Sequence, residues 1–143
     1  MKSMETNAPG TFDPNLVNID VVTSYLARHS RPADQQYTFA YTITIRNTGS
    51  EPVQLLSRHW IITDADGSQQ EVRGEGVVGE QPVIQPGAYF RYTSGTTLAT
   101  PVGFMEGSYT MVVATGHEQK VDSSHRFDVP IRAFTLHTPT ALN

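Results

Sequence analysis

Apolar and polar positions alternate with a period of two through most of the chain. The clearest stretch is Tyr37, Phe39, Tyr41, Ile43 and Ile45, interleaved with Thr38, Ala40, Thr42, Thr44 and Arg46. Aromatic and β-branched residues at every second position predict a strand with one buried face. Ile19, Val21 and Tyr25 mark one face of an earlier strand. The Asn47-Thr48-Gly49-Ser50-Glu51-Pro52 cluster predicts a turn. Residues 53–63 predict a third strand with mixed faces: Leu56, Arg58, Trp60 and Ile62 on one, Leu55, Ser57, His59 and Ile61 on the other. That mixture suits a central strand with polar groups near one end. Asp66-Gly67 is a hairpin signal, and residues 69–73 would be the returning strand.

After a glycine-rich segment, Val83-Ile84 is short and Pro86-Gly87 makes a turn. Residues 89–94 predict another strand, with Phe90 and Tyr92 on one face. Tyr109, Met111 and Val113 alternate in the next. Phe127, Val129 and Ile131 open the last strand, which continues through Phe134 and Leu136. Pro130 has no amide donor, so this strand is expected at an edge or bulged there. No segment sustains a 3.6-residue period. The pattern predicts an all-β fold, an antiparallel β-sandwich of about seven strands. Residues 1–15, with Pro9-Gly10 and Asp13-Pro14, read as a flexible tail, and residues 16–143 as a single domain.

Composition narrows the function. At 143 residues the chain has the length of one domain. Six tyrosines and six phenylalanines supply large buried area despite an apolar share of 38%. The formal charge is −4 and no Lys/Arg cluster occurs. A phosphate backbone wants a basic stripe, so nucleic acid is not expected as a ligand. With no cysteine there is no disulfide, thiolate zinc site or cysteine nucleophile. The first residues lack an apolar secretory core, and no run approaches the ~20 apolar residues of a membrane span. The expectation is a soluble cytoplasmic protein without membrane insertion.

Several motifs invite a chemistry that their context does not support. Gly74, Gly76 and Gly79 spell GxGxxG, but Pro82 follows and no helical pattern does. The dinucleotide fingerprint needs a helix amino terminus behind its glycines. Glu71, Glu75 and Glu80 also outnumber Arg73 there. The glycines are therefore expected to turn a corner of the sandwich, and a backbone anion nest is a lesser alternative. Asp64-Ala65-Asp66-Gly67 resembles the start of a calcium loop, yet Gln69 stands where its glycine should be. His59, His117 and His125 are weak metal candidates. His117 and His125 share the 115–126 segment with Glu118 and Asp122. Ser57 and His59 are strand neighbours, but no orienting acid is evident for a serine nucleophile.

Arg58, His59 and Trp60 remain, in sequence with the glycine segment. Arg and Trp are enriched in binding hot spots; alternatively Trp60 is core and Arg58 pairs with Glu75 or Glu80 to hold the loop. At these residues the chain resembles the ApaG family. The resemblance is carried by Leu55-Leu56-Ser57-Arg58-His59-Trp60-x-Ile62-Thr63-Asp64, by Gly74-x-Gly76-Val77-Val78-Gly79-Glu80-Gln81-Pro82, and by Pro86-Gly87-x-x-Phe90-x-Tyr92-Thr93-Ser94-Gly95. Tyr25-Leu26 and Phe39-Ala40-Tyr41-Thr42-Ile43-x-Ile45-x-Asn47 add to it. The match covers about residues 18–140, while the 115–126 segment looks longer than that family's turn. The resemblance implies a fibronectin type III-like sandwich, a link to cobalt and magnesium efflux (the CorD name), and a protein-binding role.

The expected function is a non-catalytic protein-interaction module. Its recognition patch would comprise Arg58, His59, Trp60, Glu75, Glu80, Gln81, Tyr92 and Ser94 beside Gly74, Gly76 and Gly79, with Trp60 supplying apolar contact. No cofactor is expected beyond weak cobalt or magnesium binding. Edge strands offer a second route to a partner, including a homodimer. Direct divalent-cation binding is the alternative, and an enzyme or binder of phosphorylated nucleotides the weaker one.

Overall fold

Two antiparallel sheets face each other across a core of aromatic and branched side chains in the computed structural model, which describes residues 12–114 and 126–141. Eight strands form among the described residues: β1 (Val17–Tyr25), β2 (Tyr37–Asn47), β3 (Val53–Asp64), β4 (Gln69–Glu75), β5 (Val83–Ile84), β6 (Tyr89–Leu98), β7 (Val102–Val113) and β8 (Arg126–His137). One sheet has the order β1-β2-β6, the other β4-β3-β7-β8 with β5 on β3. This is the expected β-sandwich, and no α-helix occurs among the described residues.

The alternation of β2 becomes burial directly. Phe39, Ile43 and Ile45 are at most 1% exposed and point at the second sheet. The opposite face carries hydroxyls that pair across strands, Thr42 with Thr93 at 2.8 Å and Thr38 with Thr97 at 2.9 Å. From the second sheet, Leu55, Met105, Tyr109, Met111 and Leu136 are fully buried against them.

Three expectations need correction. Residues 12–15 are not tail: Phe12 is buried and stacks on Phe127 at 5.0 Å, and Asp13 caps the turn of Pro14–Leu16. Residues 1–11 lie outside the described residues. β6 and β7 run longer than residues 89–94 and 109–113, because Gly95, Gly103 and Gly107 interrupt an alternation that the ladder continues through. β8 is an edge strand, which meets the expectation drawn from Pro130, and its ladder shifts opposite Glu106, at Arg132-Ala133. Finally, β3 does not keep one parity. Leu55 pairs with Met111 and Ser57 with Thr110, so Leu56 is an extra residue, a β-bulge. The bulge moves Leu55 onto the same inward side as Trp60 and Ile62.

Gly107 faces Trp60 across the β3–β7 ladder. A Cβ there would meet the His59 carbonyl oxygen, with Trp60 Cα at 3.1 Å. The two central strands approach at this point only because that side chain is missing.

Candidate functional site

The bulge at Leu56 organises the glycine segment. It leaves the Leu56 carbonyl facing the loop, where it accepts from the Gly76 amide at 2.8 Å and from Gln81 Nε2 at 2.9 Å. The Leu55 amide donates to the Pro82 carbonyl, and Gln54 Nε2 donates to the Gln81 carbonyl. Between these anchors Val77 and Glu80 exchange two backbone hydrogen bonds, at 2.8 and 2.9 Å. Val78 and Gly79 are the two central residues of this turn, with φ of 44° and 81°. Positive φ at both positions is the pattern of a type I′ hairpin turn. Gly76, at φ 65°, has no room for a side chain: a Cβ would collide with the Glu80 carbonyl oxygen.

No helix follows Gly79. The amides of Gly76, Val77 and Glu80 all serve internal acceptors. A nucleotide phosphate would therefore find neither a helix terminus nor those three donors.

Arg58 is the side-chain clamp. It lies on the inward side of β3 at the rim of the sandwich, opposite Gly74 on β4. Its Nη1 donates to the carbonyls of Glu75 at 3.1 Å and Gly76 at 2.9 Å. The expected loop-holding role is present, but the partners are backbone carbonyls rather than the carboxylates of Glu75 or Glu80. A Cβ on Gly74 would lie 2.6 Å from the same Nη1. Gly74 thus opens the path along which the guanidinium crosses β4.

The anticipated patch divides by sheet face. Glu75, Glu80 and Gln81 are exposed on the loop. Trp60 is not a surface anchor: it is 2% exposed and packs edge-on against Tyr41, Tyr109 and Phe134 at 5.6–6.3 Å. Tyr92 is likewise buried, with its hydroxyl 2.5 Å from that of Tyr109. Burial pushes both phenols well above the usual tyrosine range, with the Tyr109–Tyr92 contact raising Tyr109 further. Ser94 is half-buried beside Tyr41 in the first sheet. These three face inward because strand parity places them with Ile43, Ile45 and Tyr109.

His59 points the other way, onto the outer face of the larger sheet. Its Nε2 lies 2.5 Å from Glu71 Oε2, which also accepts from Arg73 Nη2 at 2.9 Å. The His59 hydrogen bond first, and the Arg73 charge second, hold the Glu71 carboxyl below the usual range. Ser57, His59, Arg73, Glu75 and Asp128 border a depression of about 460 Å³. The acid that the sequence did not supply for His59 is Glu71. It could have been found by carrying the register of the Asp66-Gly67 hairpin back along β4: Ile61 pairs with Glu71 and His59 with Arg73. The Asp64-to-Gly67 segment is that hairpin, closed by Gly67 N to Asp64 O at 2.9 Å. The Ser68 hydroxyl and amide both donate to Asp66 Oδ1 and hold that carboxyl below its usual range. Among the described residues no group of three or more His, Asp or Glu side chains is arranged around a metal position. His117 and His125 lie outside the described residues. No helix among the described residues is long and apolar enough to cross a membrane.

A family model described as the ApaG domain matches residues 27–113. The chain is 54% identical over 127 residues to Protein ApaG of Thiobacillus denitrificans, covering 89% of this chain and 94% of that protein. It is 55% identical to Protein ApaG of Pseudomonas aeruginosa, also covering 89% of this chain and 94% of the relative. Among solved structures it is similar to a crystal structure described as an ApaA protein from Bordetella pertussis. That match has 48% identity and a TM-score of 0.78, and covers 87% of this chain and 95% of the other. A structural-genomics X-ray structure matches at 45% identity and TM-score 0.80, covering 91% and 92%.

Proposed function

The chain belongs to the ApaG domain family, and from that premise we propose that it is a non-catalytic protein-interaction module of the cytoplasm, with the glycine loop and its acidic flank as the contact. One observation carries this reading. The loop is held to β3 by the Gly76 amide and Gln81 side chain on the Leu56 carbonyl and by Arg58 and Gln54 reaching across from β3, its Val77 and Glu80 amides close the turn, and Glu75, Val78 and Glu80 face solvent. A small ligand needs convergent polar groups in a concavity. A rigid projection with carboxylates on its surface suits the face of another protein. In cobalt and magnesium handling such a module acts through a partner. The test is affinity capture from native cell extract with wild type and a Glu75→Lys/Glu80→Lys variant. Retention of a defined protein that the variant loses, at unchanged melting temperature, supports the reading. Identical retention by both removes this contact surface, and product formation from dinucleoside polyphosphates removes the non-catalytic assignment.

The His59–Glu71 contact favours a second reading, direct binding of a divalent cation, because it brings two ligand types together. Cobalt bound there should quench Trp60 emission saturably and reversibly with chelator. A flat titration into the millimolar range ends that version. The unpaired edges of β1, β6 and β8 offer a further route to a second copy of the chain.

A further inference from the structure

Val78 has the wrong chemistry for its backbone. Two non-glycine residues among those described have positive φ, Gln35 and Val78. Gln35 is unbranched and ends a short 3₁₀ turn. Val78 is β-branched, and a branched Cβ at φ 44° crowds its own backbone. The first central position of a type I′ turn normally carries Asn, Asp or Gly. Asn-Gly here would close the same turn without strain.

The strain persists because the surroundings over-determine the turn. Gly76 has no room to move past Glu80, and Val77 is 1% exposed in the core. Arg58 clamps one side and Gln81 the other. Yet the Val78 side chain contributes nothing to that core. It is 53% exposed, and Val83, at the start of β5 where the loop ends, is 47% exposed. The strained turn thus presents an apolar side chain to solvent from a rigid base. Its charged neighbours along the loop are Glu75 and Glu80, both exposed. The nearest arginines are committed, Arg58 to the loop carbonyls and Arg73 to Glu71.

We infer that Val78 is an apolar docking knob, received by a segment of a partner protein that offers an apolar socket flanked by Lys or Arg. This rests on the interaction-module reading and specifies its partner. A docking role accounts for a strained, exposed apolar residue at the tip, and the glutamates set the sign of the partner's rim. A nucleic acid or an anionic membrane would meet carboxylates and be repelled.

The experiment pans a phage-displayed random peptide library against the full chain, then measures synthetic copies of the enriched peptides. Binding is followed by fluorescence anisotropy and by ¹⁵N chemical-shift mapping, with wild type and Val78→Asn. Enriched peptides should pair large apolar residues with Lys or Arg, and shifts should centre on residues 75–83. Val78→Asn should weaken binding by about tenfold or more while its melting temperature holds or rises, since the turn is relaxed. That combination separates lost contact from lost fold. Equal binding by Val78→Asn, or shifts centred on another face, overturns the knob while the module reading stands. Enrichment of acidic or wholly polar peptides also overturns it. If no peptide enriches, the knob falls, while the module reading is decided by the affinity capture with Glu75→Lys/Glu80→Lys.

Discussion

Replacing Arg58 with alanine isolates the clamp on the glycine loop. Its bond to the Glu75 carbonyl is exposed, and water replaces it at little cost. Its bond to the Gly76 carbonyl is part-buried at 2.9 Å. A hydrogen bond from a charged donor contributes about 1.5–3 kcal/mol, so the second carries about 2 kcal/mol of the closure. Val77 burial and the Gln81 bond to Leu56 remain, so the loop opens more often but the sandwich stays folded. A shift of about 2 kcal/mol raises the open population about 30-fold. Native-state hydrogen exchange reads this at the amides of Gly76, Val77 and Glu80, which are bonded only in the closed loop. Those amides should exchange about 30-fold faster in Arg58→Ala, while amides of the β3–β7 ladder change only with global stability. Gly74→Ala sharpens the test: its Cβ collides with the guanidinium, so it should destabilise wild type and be tolerated in Arg58→Ala. Exchange at the three amides within twofold of wild type, with additive Gly74 and Arg58 effects, would refute the clamp.

Three further outcomes follow from the packing. Gly107→Ala drives a Cβ into the His59 carbonyl beside Trp60; it should cost about 3 kcal/mol or more by chemical denaturation, and a cost below about 1 kcal/mol would mean that the central ladder yields easily. Tyr92 and Tyr109 are held neutral by burial. Their contribution is therefore complete below the ordinary phenol pKa near 10 and is lost as pH rises above it, each phenol steepening the decline by about 1.4 kcal/mol per pH unit. Denaturation of wild type and Tyr92→Phe/Tyr109→Phe between pH 9 and about pH 11.5 checks this, and equal slopes would count against it. Glu71 is shifted the other way, so its stabilisation is present above the usual carboxylate range and lost as pH falls through its lowered folded value. Glu71→Gln should flatten the acid limb of the melting-temperature curve below about pH 4.3, and an acid limb identical to that of wild type would contradict the His59–Glu71 pairing.

The sequence by itself determined what is encoded within a few residues. The Tyr37-to-Ile45 alternation specified a strand and its buried face, and Asp66-Gly67 specified a hairpin. Pro82 and the absent helical period were enough to set the GxGxxG segment apart from a nucleotide loop. Period-two burial and turn chemistry are properties of neighbouring residues, so they survive without knowledge of the partner strand. Tertiary structure decided everything that depends on register and on the facing sheet. One extra residue at Leu56 changed the parity of β3 and freed a carbonyl for the loop. Inter-sheet packing took Trp60 and Tyr92 inside, where a binding role had been expected. Pairing with β4 set Arg58 over Gly74 and His59 beside Glu71. A backbone carbonyl has no side-chain signature, so the true partners of Arg58 could not be read from residue types. Val78 is the sharpest case: its letter in the chain is that of an ordinary strand residue, and only the turn closed around it by Val77 and Glu80 makes it strained and exposed.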